Sequence, residues 1–304
     1  MSKAVILVPS FNSAATIVDT FDSLQCQTTA LRGISAVYLA DDCSQDESIS
    51  LAKANWRATV PLHVLKRERN FGERENVNRA IEMLGDGVEW LLLLHSDDLA
   101  KPHWLSVMLS RIEACTENVG SICSSWDTLL PDGSIVLGED DSDRGVETIE
   151  GTVAAVQETL KRGCWWHISG CAIRLRAFNN IGDFDSKLPQ LGDWEWLLRC
   201  LNTGWAVEYV PRTLILYRQH ESSVSSVSFQ KDRDVVESLE IVRRYIHLLS
   251  KRDLISFHLR RGTFMVRRFV RAAVELRLQR CLQVTGTMAL IWRNLFQSLQ
   301  ERVR

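Results

Sequence analysis

The feature that most limits the fold of this chain is a pattern that recurs four times before residue 116: a short apolar run, a polar turn, then a segment with apolar residues at i, i+3 and i+4. The apolar runs at 4–8, 35–40, 62–65 and 90–94 predict strands, and the segments 14–27, 46–57, 73–84 and 102–115 predict helices. Such alternation specifies an α/β fold on a mainly parallel sheet. The turns read SFNS, DDCSQD, KRERNFGE and HSDD. In an open α/β sheet the turns at the carboxyl ends of the strands form the ligand crevice, so the functional site is expected among these four.

The remainder is less regular. A strand is predicted over 119–126, a hairpin turn at PDG 131–133, an acidic loop over 137–145, helices over 152–161 and 191–202, and strands over 206–210 and 213–217. After the Ser-rich ESSVSSVS at 221–228 the pattern is wholly helical, which places a boundary near residue 228. Charge changes there too. Residues 231–304 hold 16 Lys/Arg against 7 Asp/Glu, whereas the preceding residues hold 20 against 31. The formal net charge of −2 excludes both an acidic disordered protein and a wholly basic nucleic-acid binder, so no nucleic-acid partner is expected. Eight cysteines without a CxxC pair or zinc spacing are expected to be reduced, buried thiols of a cytoplasmic protein. The apolar run behind MSKAVILVPSFN ends at Pro9, too early for a signal-peptide core. The longest other apolar stretch, 284–296, is broken by Thr, Gly, Arg and Asn and falls short of the roughly 20 residues of a membrane span.

Two adjacent carboxylate pairs stand in the turns, Asp41 with Asp42 and Asp97 with Asp98. Hard oxygen ligands of this kind suit Mg²⁺ or Mn²⁺ completed by phosphate oxygens. Asp also caps helices, which is the alternative at both places. The convergence of three polar turns at one sheet edge favours a ligand site.

These turns carry a family resemblance. The strings VILVPSFNSAATIVDTFDSLQCQT, YLADDCSQDES, NFGERENVNRAIE and WLLLLHSDD, then CAIRLRAFNNIGDFDSKLPQLGDWEWLLRCLNTGW and YRQHESSVS, resemble in order and spacing the nucleotide-sugar-dependent glycosyltransferases of family 2, over residues 4–226. The resemblance implies a GT-A catalytic domain over 1–228, with a nucleotide-sugar half over 1–125 and an acceptor half over 126–228, followed by a helical extension over 229–304. It implies inverting transfer of a sugar from a nucleoside diphosphate donor, UDP-linked, to a saccharide or lipid-linked saccharide acceptor, with Mn²⁺ or Mg²⁺ as cofactor.

Residue by residue, the resemblance places Pro9 and Phe11 at the nucleobase and has Asp42 bond the base. Phe11 stands where the family usually has Tyr, keeping the aromatic face without the hydroxyl. Asp97 falls near the ribose or the metal, and Asp98 coordinates the ion that bridges the diphosphate. His95 takes a position that often holds the first Asp of a DxD triplet. Asn70, Gly72 and Asn78 match the turn and helix after the third strand, where Arg74 either reaches the donor or is a solvated surface charge. The general base that transfer requires falls on Asp193, the second member of an acidic pair whose first member is here Gly192, with Glu195 in reserve. The alternative for Asp193 is helix capping. His220 is implied to complete the metal site or touch the diphosphate, with Arg218 offsetting its charge. Trp194, Leu197, Leu198 and Leu201 define a buried helix face. Trp196 and Trp166 are expected to bind the acceptor sugar, with packing as the alternative, and Trp165 and His167 share that ambiguity.

Two other function classes compete. A nucleotidyltransferase needs a Gly-rich basic loop after the first strand, and VPSFNSAAT contains no Gly, Lys or Arg. A noncatalytic sugar-nucleotide or partner-binding protein is kept open by the replaced acids at His95 and Gly192. In the helical extension, Arg260, Arg267, Arg268 and Arg271 share one side of a helical wheel opposite Met265, Phe269, Ala272, Ala273 and Leu276. Such a helix either lies peripherally on an anionic inner membrane surface or packs on the catalytic domain or on a second subunit as a homo-oligomer.

Overall fold

A computed structural model describes residues 4–301 apart from 86, 142, 221 and 222. The chain divides into two compact units, one of residues up to 156 with 164–220, the other of 157–163 with the residues from 221 onward. The division falls eight residues before the expected boundary at 228.

In chain order the elements are β1 (Ala4–Ser10), α1 (Ile17–Gln25), β2 (Ile34–Asp41), α2 (Ser48–Asn55), β3 (Leu62–Lys66), α3 (Glu73–Glu82), β4 (Trp90–Leu93), β5 (Leu99–Ala100), α4 (Trp104–Ala114), β6 (Val119–Leu129), β7 (Ile135–Val136), β8 (Glu147–Ile149), α5 (Val153–Arg162), β9 (Ala172–Arg174), α6 (Leu175–Ile181), α7 (Gly192–Asn202) and β10 (Ala206–Arg218). They build one mixed sheet in the order β3-β2-β1-β4-β9-β6-β10-β5, with β7 beside β6 and β8 beside β10. The first four strands are parallel, β9 runs antiparallel between β4 and β6, and β6 and β10 are parallel. This is the expected α/β architecture. The strands of two or three residues, β5, β7, β8 and β9, are too short to leave a periodic signal. The stretch read as two strands over 206–217 is one: Pro211 sits where the register shifts between Val210 and Thr213, a bulge rather than a break.

Strands β1 and β4 are buried along their whole length, as parallel strands covered on both faces must be. Ile17, Phe21 and Leu24 of α1 and Trp104, Leu105 and Met108 of α4 join Ile6, Val8, Leu92 and Leu94 in one core. A second cluster is aromatic. Trp166 stacks on Trp196 at 5.5 Å between ring centroids, and Phe184 and Phe178 lie 5.5 and 6.1 Å from Trp196. Both Trp166 and Trp196 are fully buried, which corrects their assignment to an acceptor sugar. The reason is that α7 is buried almost all round, so a helical wheel with one apolar stripe does not describe it. Glu195 is buried with it and accepts from Nε of Arg199 at 3.0 Å, which removes the reserve base. Cysteines are also only partly as expected: Cys123, Cys171 and Cys200 are buried, whereas Cys26 and Cys164 are exposed, and all eight are free.

The second unit contains α8 (Val224–Gln230), α9 (Arg233–Arg244), α10 (Lys251–Val274) and α11 (Leu278–Glu301). Its centre is Asp232, wholly buried, whose carboxylate accepts from Arg268 Nη1 at 2.6 Å and Arg280 Nη2 at 2.5 Å. One carboxylate thus ties the start of α9 to both long helices. Arg268 therefore points inward, not to the solvent side that the wheel gave it, and of the opposing apolar set only Met265 and Ala272 are buried. No helix among the described residues is long and apolar enough to cross a membrane.

The burial of Trp196 is testable. Trp196→Ala is expected to lower stability by about 3–5 kcal/mol, the range for truncating a buried aromatic, measured by urea denaturation. A loss under about 1 kcal/mol would place the ring outside the core.

Candidate active site

The turns after β1, β2 and β4 are knitted together at the carboxyl edge of the sheet. Asn12 and Cys43 adopt left-handed backbone conformations (φ 49° and 68°), which bend the first two turns toward each other. Asn12 N donates to Ser44 Oγ at 2.9 Å, and Asn12 Oδ1 accepts from Gln45 N at 2.9 Å. Ser13 Oγ lies 2.7 Å from Ser96 Oγ, and Thr16 Oγ1 donates to Ser96 O at 2.8 Å. The turn after β3 is bound in by Asp42, whose two carboxylate oxygens accept from Phe71 N at 2.9 Å and Gly72 N at 2.8 Å. Burial raises the pKa of Asp42 against the opposing pull of those two N–H groups. Pro9 is buried in β1 opposite Ala40, and the Phe11 side chain is 46% exposed at the strand end. The structure thus brings Pro9, Phe11 and Asp42 to one place.

His95, Asp97 and Asp98 each offer a ligand atom, all within 4.8 Å of one another. Helix α4 has His103 at its cap, five residues beyond Asp98, so neither aspartate is a helix cap. Asp98 Oδ1 accepts from Arg218 N at 3.0 Å, while Oδ2 is buried without a hydrogen-bond partner. Burial, then the charge of Asp97, pushes the pKa of Asp98 up. An unsatisfied buried carboxylate oxygen beside two further donors fits a divalent cation. Arg218 Nε donates to Asp97 O at 3.0 Å, and His220 Nε2 lies 2.9 Å from Asp97 Oδ2. His220 is therefore placed against Asp97, and His95 is the imidazole of the cluster.

Glu73 and Arg74, adjacent in the first turn of α3, connect this cluster to Asp193. Glu73 Oε1 lies 3.1 Å from His95 Nε2 and 2.8 Å from Arg74 Nη1, and Arg74 Nη2 lies 3.7 Å from Asp193 Oδ1. Arg74 is buried, not a surface charge. Gly192 gives it room, since a Cβ there would stand 3.2 Å from Arg74 Nε. Asp193 lies in the first turn of α7, whose cap is Leu191, and no side chain caps that helix. Burial raises the pKa of Asp193, with Arg74 the main opposing influence. Glu73 was not legible beforehand, because an acid in a helix's first turn needs no partner to explain it. Of the GCWWHISG side chains, His167 senses this site rather than Trp166. It stacks on Trp126 at 4.7 Å, meets Tyr217 edge-on at 5.3 Å, and burial pushes its pKa down to about 4. Ser169, two residues on, accepts from His95 N at 3.0 Å.

The Glu73–His95 pair has a pH signature. Burial opposes the charged form of His95, but the Glu73 carboxylate outweighs it and holds the imidazole at about 9; Glu73 itself is held at about 2 against burial by Arg74 and His95. A raised histidine stabilises the fold fully below its ordinary value of 6.5 and loses that contribution as pH rises through about 9. In metal-free protein, Glu73→Gln is expected to lower the His95 midpoint from about 9, since burial remains and the largest raising charge is gone while those of Asp97 and Asp98 stay. Proton NMR titration measures this, and an unchanged midpoint would show that the pair does not form.

The family described as Glycosyl transferase family 2 matches residues 5–126. An uncharacterized glycosyltransferase of Haemophilus influenzae is 26% identical over 226 residues, covering 73% of this chain and 70% of that protein. The succinoglycan biosynthesis protein ExoO of Rhizobium meliloti is 33% identical over 112 residues, which is 36% of this chain and 29% of the relative. Among solved structures, S. aureus TarS 1–349 in complex with UDP-GlcNAc superposes with a TM-score of 0.64 at 16% identity, covering 96% of this chain and 81% of that one. The mannosyltransferase PcManGT from Pyrobaculum calidifontis, in complex with GDP-Man and Mn²⁺, gives 0.61 at 12% identity, covering 99% and 87%. The turns after β1, β2 and β4 thus lie inside the segment that matches glycosyl transferase family 2, and the chain has the GT-A fold of these neighbours.

Proposed function

We propose that the chain is an inverting glycosyltransferase that moves a sugar from a nucleoside diphosphate donor, UDP-linked, to a saccharide or lipid-linked saccharide acceptor. The observation that carries this reading is the cluster of His95, Asp97 and Asp98, with its unsatisfied buried oxygen, at the edge where the turns of Phe11 and Asp42 meet. The neighbours bound to UDP-GlcNAc and to GDP-Man with Mn²⁺ support the donor class. The catalytic domain is assigned to residues 1–228.

Asp97, Asp98 and His95 would hold Mn²⁺ or Mg²⁺, and His220 would orient Asp97 from behind. The ion supplies charge neutralisation of the diphosphate leaving group. Phe11 offers an aromatic face to the base, with Pro9 and Asp42 shaping the strand end beneath it. Asp193 accepts the proton of the acceptor hydroxyl as its oxygen attacks the anomeric carbon and the bond to the diphosphate breaks, inverting that centre. Arg74, 3.7 Å from Asp193, opposes the upward pull of burial on that carboxyl and sits between the base and the Glu73–His95 pair.

Two substitutions test the assignment. Asp98→Ala is expected to abolish Mn²⁺-dependent binding of UDP in calorimetry with the fold intact by circular dichroism. Asp193→Asn is expected to leave donor affinity within about twofold while lowering turnover about a hundredfold or more. Wild-type protein that binds UDP but neither transfers nor hydrolyses any donor would instead support a noncatalytic binding protein. A preference for GDP over UDP in a thermal-shift panel would change the donor and leave the reaction class standing.

A further inference from the structure

We infer that the tip of the α10–α11 hairpin inserts into an anionic lipid bilayer. The helices are joined through Glu275, Leu276 and Arg277, and around this turn Val274, Leu276, Leu278 and Leu282 are 75–84% exposed. Four large aliphatic side chains so exposed at one apex exceed what scattered surface residues explain. Leu276 also has φ +55°, a left-handed conformation that a helix end normally gives to Gly or Asn. A branched side chain is thus kept where both solvation and backbone disfavour it, which assigns the side chain a contact outside the chain.

Apolar exposure continues from the tip along both helices. Ile255, Leu259, Val266 and Phe269 on α10 and Trp292 and Phe296 on α11 are exposed at the three- and four-residue spacing of one helical face. Trp292 lies over Gly262, 3.9 Å from where a Cβ would be, so its ring bridges the two helices. Beside this strip, an open groove of about 540 Å³ on α10 alternates Arg252, Arg260 and Arg267 with Ile255, Leu259 and Phe264.

Charge decides the occupant. Among the described residues, Arg252, Arg260, Arg267, Arg271 and Arg293 form no ion pair, while the exposed acids Glu275 and Glu301 are already held by Arg277 and Arg243. A second copy of the hairpin would set these arginines against each other with no free acid to meet them. Lipid phosphates meet them directly, while the acyl region receives the leucine tip. The inference is independent of the transferase reading, since none of its residues belongs to that site.

The test is flotation of the full chain with vesicles of phosphatidylglycerol and phosphatidylcholine against pure phosphatidylcholine, at low and high salt. Binding to the anionic vesicles only, weakened by salt, is expected. Leu278→Asp with Leu282→Asp, and separately Arg267→Glu with Arg271→Glu, are expected to lower partitioning at least about tenfold, with unchanged thermal unfolding because all four side chains are exposed. Leu278→Trp should show emission quenched by brominated acyl chains. Equal binding to neutral vesicles, no binding at low salt, or a dimer in sedimentation that the leucine variants dissociate would each overturn the inference, the last in favour of a second copy.

Discussion

The buried carboxylate of Asp98 sets the terms for the rest of the first unit. An ionised group taken out of water is costly unless it is matched, and Asp98 accepts a hydrogen bond from Arg218 N at the far end of β10. That bond draws the last strand across the β4 turn, and the short antiparallel pairing of β5 with β10 through Leu99–Leu216 and Ala100–Ile215 locks it there. From the other side Thr20 Oγ1 donates to Asp98 O at 2.9 Å, so α1 is bound to the same turn. Elements far apart in sequence are held to one residue, β10 by its carboxylate and α1 by its backbone carbonyl, and the second carboxylate oxygen is left facing the site.

The two departures from the family pattern are physically coupled. His95 brings a potential cation where an acid is usual, and Gly192 removes an acid; adjacent residues of α3 answer both. Glu73 supplies a carboxylate to His95, and Arg74 fills the space above Gly192 and faces Asp193. Charges alternate from Asp193 through Arg74, Glu73 and His95 to Asp98, so each lies beside an opposite one. Alternation of this kind is what lets a site bury several ionisable groups at once. Both replacements are thereby absorbed into one network, which weighs against reading them as decay of a lost activity.

How much of this was legible in sequence depended on whether a signal was local. The apolar runs of β1, β2, β3 and β4 and the turns after them are local, and the predicted strand spans agree with the observed elements to within two residues at either end. Pairings were not local. Trp196 reads as a helix residue near Asp193, and only the convergence of Trp166, Phe178 and Phe184 from separate segments makes it core. Glu73 became visible as a site residue only when the β4 turn was placed beside α3.

The second unit shows the same limit in a different form. A helical wheel assumes that a helix has one inside, yet α10 has a buried side built on Leu254, Phe257, His258, Met265 and Ala272 and a separate apolar strip left in solvent. The arginines divide likewise. Arg268 goes inward because Asp232, held in a left-handed turn before α9, is wholly buried and needs a cation; Arg280 of α11 answers the same carboxylate. This polar centre fixes which sides of the two helices face each other and α9, and so which side is left over. The strip and its unpaired arginines are therefore a consequence of Asp232 as much as of their own spacing, since rotating α10 to bury Leu259 and Val266 would expose Met265 and leave a buried aspartate without Arg268. The exposed apolar surface is fixed by the fold, and hydrophobic collapse alone does not remove it.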